Sequence, residues 1–88
     1  MKQALGFFEI RSMVAAMEAA DAMLKAADVD LRKFEIVGSG VVSVIIEGEV
    51  AAVQAAVESA ELSAGHMAEI ISINVIPRPN RELLDLFE

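Results

Sequence analysis

The chain has 88 residues, with 7 Lys+Arg against 14 Asp+Glu, a formal charge of −7 and no cysteine. That length allows one domain, 1–88, with a single modest core, and the lack of cysteine rules out disulfides, thiolate nucleophiles and cysteine metal sites. Hydrophobic residues make up 56% and mean hydropathy is +0.53, which excludes a disordered chain and points to apolar surface buried between copies.

The hydrophobic pattern predicts a strand over 4–11, where Phe7, Phe8 and Ile10 supply bulk and Glu9 and Arg11 mark the far end. A helix over 13–27 follows, with Ser12 as its N-cap. Met13, Met17, Ala20, Leu24 and Ala27 recur at spacings of three and four and form the expected buried stripe. Glu18, Asp21 and Lys25 share another face, with Asp21 and Lys25 in the favoured acid-first order. A second strand is expected over 31–37 and a third over 41–47, joined by the three small residues Gly38, Ser39 and Gly40 as an antiparallel hairpin. Val42, Val44 and Ile46 belong to one face of the third strand; Val41, Ser43, Ile45 and Glu47 belong to the other.

A second helix begins after Gly48 and Glu49, carries Val50, Val53, Val57, Ala60 and Ala64 at helical spacing, and stops at Gly65. The fourth strand runs over 69–76, with Ile71, Ile73 and Val75 alternating against Ser72 and Asn74. Pro77-Arg78-Pro79 terminates it, and Asn80 caps a short helix bearing Leu83, Leu84, Leu86 and Phe87. Strand, helix, strand, strand, helix, strand is the split βαβ, ferredoxin-like order. The expected fold is α+β: a four-stranded antiparallel sheet, two long helices on one face and a short C-terminal helix. The two long helices are rich in alanine, so their core is thin, which again argues for oligomers.

Residues that carry chemistry are sparse. His66 is the single histidine and has no metal-ligand spacing around it. Glu47 and Glu49 flank Gly48 as strand-end and helix-start charges rather than as a catalytic pair. Ser39 has no base placed to activate it, and Gly38-Ser39-Gly40 lacks the GK[ST] ending and strand-to-helix context of a phosphate loop. No catalytic residue, metal site or cofactor is expected. The acidic balance, without a basic stripe, argues against nucleic acid and against anionic membrane surfaces. No stretch of 18 residues is free of charge, and Glu9 comes too early for a secretory leader, so a cytosolic protein with no membrane span is expected.

In combination these segments are not anonymous. Ala4-Leu5-Gly6 with Glu9, the run from Glu18 to Ala27, Val37-Gly38-Ser39-Gly40-Val41-Val42, Gly48-Glu49-Val50-Ala51-Ala52-Val53 and Val75-Ile76-Pro77-Arg78-Pro79 follow one another at fixed separations. Together the chain resembles bacterial microcompartment (BMC) shell proteins of the single-domain, hexamer-forming class. The resemblance implies a flat cyclic hexamer that tiles into a polyhedral shell around encapsulated enzymes in the cytoplasm, alongside other shell protein paralogues. It implies that the Gly38, Ser39 and Gly40 turns of six subunits line a central pore for small polar metabolites. It also implies that Lys25, Asp28 and Arg78 lie at the hexamer–hexamer edge. Ile36 and Val37 stand where relatives often place a basic residue before the turn. Two other readings of the fold remain open: a ferredoxin-like regulatory domain binding a small molecule between subunits, and a small enzyme.

Overall fold

The computed structural model describes residues 3–87. The elements follow in the order β1 (Ala4–Ile10), α1 (Met13–Ala26), β2 (Val29–Gly38), β3 (Val41–Gly48), α2 (Val50–Ala64), β4 (Ile70–Ile76) and α3 (Arg81–Asp85). The strands form one sheet in the order β2-β3-β1-β4, and every neighbouring pair is antiparallel. This is the ferredoxin-like topology expected from the element order. The fold exposes 5135 Å², close to the roughly 5,000 Å² expected for a compact chain of this mass.

Alternation in the strands decides which side faces the helices. Ala4, Phe8 and Ile10 of β1 and Val42, Val44 and Ile46 of β3 join the core with α1 and α2. The intervening Leu5 and Ile45 are also buried, on the opposite face of the sheet. There the Phe87 ring, just past α3, meets Phe7 edge to face with ring centroids 6.4 Å apart. Asn80 caps α3 by accepting a hydrogen bond from the Glu82 N–H at 2.8 Å. The chain past the short helix thus touches the second face of the sheet through Phe87, while Leu86 stays exposed.

Helix α1 starts as expected, with the Ser12 hydroxyl accepting from the Ala15 N–H at 3.1 Å. Its buried side, however, is Ala15, Ala16, Ala19, Ala20 and Met23. Of the expected stripe, Ala20 belongs to it and Ala27 packs partly buried against the same core, while Met13, Met17 and Leu24 are exposed, at 40%, 60% and 46%. The physical reason is proximity. Both helices pack mostly through alanines, with Met23, Val53 and Val57 as the larger exceptions, and more bulk on those faces would hold the layers apart. In α2 the expected positions Val53, Val57, Ala60 and Ala64 are buried and only Val50 is not.

Two features of the strands also differ from expectation. β2 starts at Val29, because Ala27 already leaves helical geometry, and Val29 is buried beside Gly48. Ile71 is exposed although it shares the alternation of Ile73 and Val75. The pairing of β1 with β4 steps from Glu9↔Ser72 to Ile10↔Ile70, so the irregularity leaves Ile71 unpaired.

Candidate functional site

The hairpin between β2 and β3 is tighter than the sequence suggests. Gly38 pairs with Val41, which leaves a two-residue turn of Ser39 and Gly40. Ser39 has φ 55° and Gly40 φ 82°, the sign pattern of the type I′ turn that matches the strand twist. Gly38 itself lies at φ 136°. Three consecutive residues therefore hold positive φ, and only Ser39 has a Cβ to strain there. The turn projects from the fold: nothing lies within 4 Å of a Cβ placed on Gly38, and 38–40 are all exposed.

Arg11 supports this turn from below. Its Nη1 donates to the Ser39 carbonyl oxygen at 2.9 Å, and its Nε donates to Glu69 Oε1 at 3.3 Å. The Arg11 backbone N–H reaches the Glu69 carbonyl oxygen at 3.0 Å. In the sequence Arg11 reads only as the polar end of a strand, because its partners stand 28 and 58 positions away.

Lys25, Asp28 and Arg78 gather toward the other end of the sheet. Lys25 lies in the last turn of α1, where a cation is favourable to the helix dipole. Its Nζ donates to Asp21 Oδ2 at 2.9 Å on the exposed helix surface. That hydrogen bond, and then the Asp21 charge, hold the Lys25 pKa above its ordinary value. Asp28 precedes β2, and its carbonyl oxygen lies 3.1 Å from a Cβ placed on Gly48. Arg78 follows β4 and is exposed between its two prolines. It lines a shallow groove of about 510 Å³ with Glu49, Val50, Ala51 and Pro77.

Register shows how the two groups are separated. Ala4 at the start of β1 pairs with Gly48, Leu5 pairs with Ile76, and Val29 pairs with Gly48. Ile10 at the other end of β1 pairs with Val42, and Arg11 then reaches Ser39. The hairpin turn and the Asp28–Arg78 end thus sit at opposite ends of the strands. His66 is exposed beyond α2, apart from both groups in the chain. Glu47 pairs with Arg32 across β2 and β3, an ordinary cross-strand contact.

The BMC domain family matches residues 4–79 of this sequence. This chain belongs to the BMC domain family. It is 44% identical over 82 residues to bacterial microcompartment shell protein PduA of Citrobacter freundii, covering 93% of this chain and 88% of that one. It is equally 44% identical over 81 residues to carboxysome shell protein CsoS1 of Prochlorococcus marinus, covering 91% and 79%. The fold superposes on the crystal structure of a microcompartment protein from Desulfitobacterium hafniense with a TM-score of 0.88 at 37% identity, covering 96% of this chain. The chain spans 46% of the length of that protein. The family's role is structural, and this BMC-domain chain is a microcompartment shell protein whose place is the compartment shell.

Proposed function

We propose that this protein closes into a cyclic homohexamer, with 1–88 as one shell domain, and that the rings tile edge to edge beside other shell proteins around encapsulated enzymes. In this reading Gly38, Ser39 and Gly40 line the pore, Lys25, Asp28 and Arg78 serve the hexamer–hexamer edge, and the chain catalyses no reaction. The observation that carries it is the placement of these groups at opposite ends of one sheet. A wedge in a closed heterologous ring needs one end at the axis and the other at the rim. The positive-φ turn is suited to the axis, since glycines let six backbones approach and six Ser39 hydroxyls offer both donors and acceptors. Such a lining suits small polar metabolites and disfavours apolar ones, which lose hydration without an apolar wall. The shallow groove beside Arg78 belongs to the rim in this reading, rather than to the ligand pocket that a regulatory domain requires.

The test is a structure of the assembled ring together with passage of small polar solutes through shells carrying Ser39→Leu. The expected result is a hexamer with 38–40 at the axis and a plugged channel. Residues 38–40 at the rim, or unchanged passage in the variant, overturn the pore assignment. Particles of two to four subunits overturn the ring.

A further inference from the structure

We propose that Arg11 is a positioning residue of the pore turn and that the Arg11–Glu69 pair sets the pore's preference between anionic and neutral solutes. The proposal rests on the pore reading above. Three observations carry it. The guanidinium bridges segments far apart in sequence, holding the Ser39 carbonyl oxygen at 2.9 Å while Glu69 holds it at 3.3 Å. The Arg11 stem runs beneath the turn, with its Cγ 3.5 Å from a Cβ placed on Gly40. The turn above it keeps a non-glycine residue at φ 55° and has open space around Gly38.

The first consequence is geometric. A left-handed serine is costly because its Cβ crowds the backbone, and a planar fork that holds the Ser39 oxygen and a carboxylate together helps fix the turn in that conformation. Lysine offers a point charge on a flexible stem and is a poor substitute for two fixed directions. The second consequence is electrostatic. The Ser39 oxygen, the negative end of its peptide dipole, is engaged by a cation rather than left free for the channel. Ile36 and Val37 bring no charge to the hairpin next to the turn, and Arg11 is a cation hydrogen-bonded to it. Six copies place six guanidiniums one hydrogen bond behind the lining, in a ring whose chains each carry −7. Glu69 moderates each one, so the effect is short-ranged and modest.

The experiment compares Arg11→Gln, Arg11→Lys, Glu69→Gln and Ser39→Leu in purified shells containing the protein, reading the ratio of inorganic phosphate to glycerol passage. Both partners are substantially exposed, and ring formation is checked by native mass spectrometry. Arg11→Gln is expected to lower the ratio by about two- to fivefold, the range of an exposed charge contact. Arg11→Lys restores it only in part. Glu69→Gln frees the guanidinium charge and moves the ratio upward, a direction that simple loosening of the turn does not produce. A block by Ser39→Leu with an unchanged ratio in Arg11→Gln overturns the proposal and leaves the pore reading standing. A Glu69→Gln ratio that falls also overturns it. Unchanged passage in Ser39→Leu overturns the pore reading and this proposal with it.

Discussion

Ser39 holds φ 55° between glycines at 136° and 82°, so the hairpin's shape is written in backbone conformation more than in contacts. Gly38→Ala is expected to destabilise by about 1–3 kcal/mol even though its Cβ meets nothing. Thermal melting checks this, and Ser39→Gly is the contrast, since it relieves the left-handed Cβ and stays within about 1 kcal/mol of the parent. Lys25 makes a different residue-scale statement. Its folded pKa is raised by the Asp21 hydrogen bond and charge, so the interaction is complete at neutral pH and is lost only as pH rises past the ordinary lysine range. Sheets that depend on charged Lys25 should therefore survive mild alkali, and Asp21→Asn should lower the pH at which they dissolve, as followed by light scattering. The Gly-Ser-Gly turn was legible in the sequence because positive φ has a residue signature. Arg11 was not, because nothing local marks a side chain whose partners are brought to it by the sheet.

The elements were legible to the extent that period decides them. Apolar runs mark β1 and β3 as strands although both of their faces bury side chains, and a serine before α1 and an asparagine before α3 mark the helix starts. Helix α1 carries two apolar stripes, and apart from Met23 the larger residues belong to the one left outside. Size misleads there because the distance between helix and sheet, which periodicity does not encode, selects alanine. Gly6 makes the same close approach visible from the sheet. A Cβ at that position would stand 2.7 Å from Val53 Cγ1 and 3.0 Å from Ile46 Cγ1, so α2 crosses β1 where the strand has no side chain. Gly6→Ala is expected to cost about 1–3 kcal/mol through overpacking. The measurement is the urea midpoint, which should fall with little change in slope. Ile71 departs from its alternation in another way, displaced by a register irregularity between β1 and β4.

At the scale of the whole molecule, the hairpin turn and the Asp28–Arg78 group are held apart by the full length of β1. Lys25→Ala is expected to leave soluble rings intact and abolish extended sheets in negative-stain microscopy, because the exposed lysine takes no part in the core. Normal sheets from this variant, or a monomer on size-exclusion chromatography, count against the edge role. Seven strand residues at about 3.3 Å each span roughly 23 Å, well past the distance at which substitutions ordinarily influence one another. A double variant of Ser39 and Lys25 should therefore show no epistasis: its melting shift is the sum of the single shifts within about 0.5 kcal/mol, and its permeability defect is that of the Ser39 change alone. On the proposed reading of the two ends, selection can accordingly change which molecules cross the shell while the rules of its assembly are inherited unaltered.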